Sequence, residues 1–338
     1  MASGQQKLVK TKVVLTVDTE ASIAGAFRRD EAHAPLIHEP VAGVVDGKSQ
    51  GLGFLVETLT GHGMVATFFV ETVHTRYFPD TLMGGYVDRL LRAGQDVQLH
   101  LHPGWLSFEN GKHDHSDLTS DHCHELEAGQ LAALIGEGAE RIRTWTGVPP
   151  SGMRTGNFST ALSVFAAMGQ AGLRHASNIC LAVHRPSEPE LAVTGGAHDF
   201  AGIRELPVTC FSDVGPVGRG RLRPMQVTAL TAQEQIGLLT AAYDCRNPVV
   251  VIVTHPFEFV KKRDFRYTNL RRNRVIQDRF RRLCTFLAEN TDRFEVVPLA
   301  VAADTINNGR VWTELTGNAF NSIVRAVSNV VNDHLGFI

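Results

Sequence analysis

Val249-Val250-Val251-Ile252-Val253 is an unbroken β-branched run, followed at once by Thr254-His255-Pro256. Side chains branched at Cβ favour extended chain. A strand apolar on both faces must be covered on both, which is the setting of a parallel sheet flanked by helices. The run is far too short to cross a bilayer, and no stretch of eighteen apolar residues stands elsewhere. The rest of the chain repeats the theme. Strands are predicted at Lys12–Val17, Val65–Val70, Val97–His102, Ile203–Val208, Pro248–Thr254 and Phe294–Pro298, with shorter ones near Gly152 and His175. Between them, Leu52–Leu59, Tyr86–Ala93, Ala128–Trp145, Ser163–Ala171, Ala232–Tyr243 and Asn273–Leu287 carry apolar residues at helical spacing. Strand-then-helix order sustained this long predicts a distorted (β/α)7-type barrel, one catalytic domain over 11–300. Residues 301–338 form a helical extension, with Val324, Val327, Val331 and Leu335 on one stripe expected to dock on the barrel.

Composition excludes several classes. The 338 residues carry 33 Lys and Arg against 35 Asp and Glu, a net charge of −2, so a surface built to hold nucleic acid is not expected. The five cysteines are scattered without a CxxC pair, which argues against a disulfide framework and a cysteine zinc site. The amino-terminal MASGQQKLVKTK has no apolar segment of signal-peptide type. Together these point to a reducing, cytoplasmic setting.

The chemistry-bearing residues stand at predicted strand ends, where a parallel barrel builds its active face. The first strand finishes in Asp18-Thr19-Glu20, the third in His100-Leu101-His102-Pro103, the seventh in Thr254-His255-Pro256, and Arg154 sits before Thr155-Gly156-Asn157-Phe158. Residues two apart in extended chain share a face. Asp18 and Glu20 therefore stand side by side, and adjacent acids repel unless a cation intervenes. One is expected to ligate metal and the other to stay free as a base, against the reading of one cap and one solvated acid. His100 and His102 suit zinc, or cobalt, nickel or iron, with an open position for water. Arg154 is expected to clamp a free carboxylate with both prongs of its guanidinium. His255 is read as a general acid or as a packing histidine.

Two long connections follow the first and third strands, 21–51 and 107–127. The second holds His113, His115, His122 and His124 among acids and reads as a solvated lid. Lys261 to Arg282 contains ten basic residues against two acidic ones, either a solvated helix face or a wall for the phosphate of an anionic sugar carrier.

These pieces, in this order, resemble the polysaccharide deacetylase (NodB-homology) family over roughly Val13 to Pro298. Val14-Leu15-Thr16-Val17-Asp18-Thr19-Glu20 is similar to its first motif in a D-x-E form, and Ala66-Thr67-Phe68-Phe69-Val70 to its second strand. Asp96-Val97-Gln98-Leu99-His100 resembles the metal-histidine motif, Arg154-Thr155-Gly156-Asn157-Phe158 the arginine motif, and Thr254-His255-Pro256 the last histidine motif. The resemblance implies a metal-dependent hydrolase removing an acetyl or similar acyl group from an amino sugar or glycan precursor. Asp18 would be the general base, Glu20 the metal-ligating acid, Arg154 the holder of Asp18 and His255 the general acid. Two positions depart from the pattern. Gly104 stands where the family's second metal histidine is expected, leaving His102 to replace it, and Thr19 replaces the usual second Asp. Trp105, Asn157 and Glu205 are expected to line the sugar site. An amidase acting on a small non-sugar amide, and a non-catalytic glycan-binding relative, are the competing readings.

Overall fold

A computed structural model describes residues 9–25, 33–108, 120–215, 218–307 and 311–335. Within them a nine-stranded sheet is formed by β1 (Thr11–Thr19), β2 (Thr67–Glu71), β3 (Asp96–Leu101), β4 (Gly152–Thr155), β5 (His175–Ala176), β6 (His198–Phe200), β7 (Ile203–Glu205), β8 (Val249–Thr254) and β9 (Phe294–Val296). The strand order is β8-β1-β2-β3-β4-β5-β7-β6, with β9 pairing on the opening residues of β1. Every pairing is parallel except β6 with β7. Ladder pairing of β7 stops at Glu205, and Pro207, two residues on, has no N–H to offer a neighbour. The curled sheet is instead closed by irregular chain. Leu206 and Val208 donate to the carbonyls of Ala176 and Ile179 (2.9 and 2.8 Å), and Thr209 to that of Val251 (3.1 Å).

Helices α1 (Leu52–Gly61), α2 (Asp80–Arg92), α3 (Ala128–Thr146), α4 (Leu162–Gln170), α5 (Ala232–Asp244) and α6 (Arg274–Glu289) accompany the sheet. Thr231 caps α5 by accepting from the Glu234 N–H, and α3 ends on Gly147 at φ 82°, a left-handed turn that suits glycine.

The period of two along each strand sorts the core into two shells. Val13, Leu15 and Val17 of β1 and Val250 and Ile252 of β8 pack outward into the cluster that holds the helices' Leu52, Leu55, Phe280 and Leu283. Val14 of β1, Phe69 of β2, and Val249, Val251 and Val253 of β8 fill the inner shell. Each fully buried aliphatic or aromatic side chain contributes about 1.5–3 kcal/mol. The same parity aims Asp18, His100, Arg154 and His255 inward at the carboxyl ends of their strands.

The final helix α7 (Ala319–Leu335) docks the other way round from expectation. Its polar residues face the body: Ser322 and Arg325 are buried, and Arg325 bridges Asp213 and Glu234. Val324, Val327 and Val331 face solvent together with Phe320, Ile323 and Val330, and the side chain of Leu335 lies outside the described set. A buried ion-pair network, not apolar contact, therefore anchors this helix. Among the described residues no helix is long and apolar enough to cross a membrane.

Candidate active site

Arg154, fully buried, organises one half of the site. Its Nη1 donates to Asp18 Oδ1 (2.7 Å) and Thr16 Oγ1 (2.9 Å), while Nε and Nη2 donate to the carbonyl and hydroxyl of Ser177 (2.9 and 2.7 Å). The two-pronged grip on Asp18 expected from sequence does not form, because Ser177 takes the other edge of the guanidinium. The ring of Phe69 lies 4.4 Å beneath the cation. Asp18 is thereby charge-compensated at one oxygen, and its Oδ2 is left facing His255 Nε2 at 3.7 Å.

Glu20 faces the other way, toward β3. Its Oε2 lies 2.8 Å from His102 Nε2 and 3.3 Å from His100 Nε2, and the three donor atoms all fall within 4.8 Å of one another. Both rings are held by their other nitrogen. His100 Nδ1 donates to the Arg154 carbonyl (2.8 Å), and His102 Nδ1 donates to Asp121 Oδ2 (2.7 Å). With Nδ1 carrying the proton, Nε2 offers its lone pair, which is how ligating histidines are oriented. Two imidazoles and a carboxylate on one face fit zinc or a comparable divalent cation with open positions. The electrostatics agree. Burial alone would raise the Glu20 carboxyl, but the neighbouring His102 and His100 hold it well below the carboxylate range. Burial would lower His102, yet Asp121 and Glu20 push it well above the ordinary imidazole value, so without a cation its Nε2 carries a proton that a bound cation would replace. The pocket is built to hold positive charge.

Asp121 is the residue the sequence did not reveal. It reaches in from the His-rich connection, binds His102, accepts from Gly104 N (3.0 Å) and is held by Asn157 Nδ2 (2.8 Å). Gly104 makes room for it: a Cβ there would meet Asp121 Oδ1 at 2.8 Å. At Gly156 a Cβ would strike the His102 ring at 2.4 Å. Gly104 thus leaves the space that Asp121 occupies beside His102. Asn157 itself sits at φ 54°, a left-handed conformation that asparagine tolerates better than most residues.

His255 follows β8, and its Nδ1 is paired with Glu258 Oε1 (3.0 Å), a carboxylate that also accepts from Thr254 Oγ1 and Gln226 Nε2. Burial would lower the imidazole, but the Glu258 hydrogen bond and charge, with Asp18 behind, raise it to about 9. His255 is therefore protonated at neutral pH and points a proton toward Asp18.

Two cavities meet at Glu20 and His102. One, of about 230 Å³, is lined by Asp18, His100, Asn157, Gln226 and His255; the other, of about 210 Å³, by Trp105, Tyr267, Phe257 and Lys262. A further cavity of about 270 Å³ lies away from these residues, beside Thr72 and Arg141. Trp105, almost fully buried, borders the second cavity, and Asn157, exposed, borders the first. Glu205 does not: it lies fully buried behind the wall, accepting from the N–H groups of Asn178 and Ile179, and burial pushes its carboxyl up to about 7. It supports the loop that carries Ser177. His113 and His115 lie outside the described residues, while His122 and His124 cluster with His184, ring centroids 5.0–6.1 Å apart. The basic segment divides its work. Arg279 and Lys261 bind α7, whereas Lys262 lies 3.9 Å over Tyr267 at the second cavity.

No family model and no curated sequence matches the chain. Solved structures do. A protein from Mycobacterium smegmatis, provisionally named a polysaccharide deacetylase, superposes with a TM-score of 0.55 at 14% identity, covering 93% of this chain and 96% of that one. The fold is that of a polysaccharide deacetylase. A family 4 carbohydrate esterase from Streptomyces lividans, in complex with acetate, is a more distant likeness (TM-score 0.40, 13% identity, 85% and 91% covered). That fold accounts for the curled parallel sheet.

Proposed function

We propose that this chain is a metal-dependent hydrolase that removes an acetyl or similar acyl group from the amino group of a sugar, within a glycan or glycan precursor. The observation that carries the reading is the division between two neighbouring acids: Asp18 is neutralised by a buried arginine, and Glu20 faces two imidazoles. Glu20, His100 and His102 would hold a divalent cation, zinc first among the candidates, which supplies Lewis acidity and lowers the pKa of water.

The residues of the chain divide the proton chemistry. Asp18, fixed through Oδ1, takes a proton from water at Oδ2. Arg154 holds that carboxylate in place. His255, charged through Glu258, gives its proton to the departing amine. The 3.7 Å between Asp18 Oδ2 and His255 Nε2 brings base and acid to one reacting centre. In this reading Trp105, Tyr267 and Phe257 offer faces to a sugar ring, and Lys262 pairs with an anionic substituent such as phosphate. The catalytic unit spans 11–300, with 301–338 as an extension.

The experiment is metal analysis of the purified protein, paired with acetate release from a panel of N-acetylated sugars, sugar phosphates and non-sugar amides. Stoichiometric divalent metal with release from amino sugars is expected. Release from non-sugar amides alone would move the substrate class. A metal-loaded protein inert on the entire panel overturns the reading.

A further inference from the structure

We propose that Cys180 and Cys210 form a peroxide-responsive dithiol in the wall of the catalytic cavity, closing to a disulfide on oxidation. Thirty residues apart in sequence, the two sulfurs lie 3.9 Å from each other. A disulfide needs about 2.05 Å, so each sulfur moves by roughly 1 Å, within reach of side-chain rotation and a small loop shift. Cys180 lines the same cavity as Asp18 and His255 and Cys210 does not, so a small oxidant in that cavity reaches Cys180 before Cys210. Cys210 sits directly behind it. Cys180 also opens a turn, its carbonyl accepting from Val183 and His184, where the chain is free of sheet pairing.

The chemistry closes without another reactant. The Cys180 sulfur attacks one peroxide oxygen. An S–O bond forms, the O–O bond breaks, and the departing hydroxide takes up the Cys180 proton as water. Cys210 then attacks the sulfenic sulfur, the S–O bond breaks, and the second water leaves with the Cys210 proton. Two thiols are oxidised and one peroxide is reduced. The other buried cysteines, Cys123 and Cys284, line neither cavity and serve as internal controls. The affected turn is contiguous with Ser177 and Asn178, which hold Arg154 and the Thr155 N–H, so closure pulls on the support of Asp18.

The test uses the full chain carrying Cys245→Ser, which removes the exposed thiol, treated with hydrogen peroxide, denatured, alkylated without reductant and read by intact and peptide mass. The expected result is loss of two hydrogens, a linked Cys180–Cys210 peptide pair, reversal by dithiothreitol, and oxidation of Cys180 at least about tenfold faster than Cys123 or Cys284. Cys210→Ser should leave Cys180 as a sulfenic acid trapped by dimedone, and Cys180→Ser should protect Cys210. Free alkylation of both thiols after peroxide, a different pairing, or rates equal to the two controls overturns the proposal. Mass is the readout, so the result does not depend on any hydrolytic activity.

Discussion

Asp18 and Glu20 are the same functional group two residues apart at the end of one strand, yet the protein treats them as opposites. Asp18 is 2% exposed and carries its counter-charge inside the protein, in Arg154 of β4. Glu20 is partly open and faces two imidazoles, whose charge depends on protons or a bound cation. The difference arises from neither carboxylate. It comes from what the neighbouring strands set opposite each: a permanent cation in one case, and two rings locked with their lone pairs inward in the other.

Breaking each half separately is the sharpest use of that contrast. Asp18→Asn keeps the shape and removes the base, so kcat should fall on the order of 10²–10⁴-fold with metal content unchanged. Glu20→Gln should lose metal as well as activity. If both variants lose metal equally, the division between the acids is wrong. Arg154→Ala strands a buried Asp18 charge, and unfolding stability should drop by about 3–5 kcal/mol, read from the denaturant midpoint. Asp121→Asn removes the carboxylate behind His102 and should weaken metal affinity about 10–100-fold in a competition titration, with the fold intact. Unchanged affinity would show that the His102 ring needs no carboxylate behind it.

The smallest effect concerns pH. A general acid must be protonated, so the alkaline limb of kcat/KM should lie near 9, the value to which Glu258 raises His255. Glu258→Gln should slide that limb down toward the ordinary imidazole value of about 6.5. Because the folded pKa is raised, the stability contributed by this pair is complete below about 6.5 and fades as pH climbs through 9. A limb that stays in place in the variant would remove His255 from the acid role.

Much of this site was legible because strand periodicity is rigid. Once β1 and β3 are recognised, the shared facing of Asp18 with Glu20 and of His100 with His102 follows from the pleat alone. What reached the site from irregular chain was not. Asp121 arrives from a connection without periodicity, and Gly104 reads in sequence as a lost ligand when its role is to leave space. The grip of Arg154 was foreseen, but its division between Asp18 and Ser177 depends on a loop residue 23 positions further along the chain. Amphipathicity correctly marked α7 as a helix with a stripe. It could not say which face docks, because the deciding partners, Asp213 and Glu234, lie about a hundred residues away.

The main chain and side chain of Arg154 serve different masters: its carbonyl accepts from His100, while its guanidinium holds Asp18. Strands β1 and β3 are not neighbours, since β2 separates them. A single residue on a fourth strand is therefore the common datum for both halves of the chemistry.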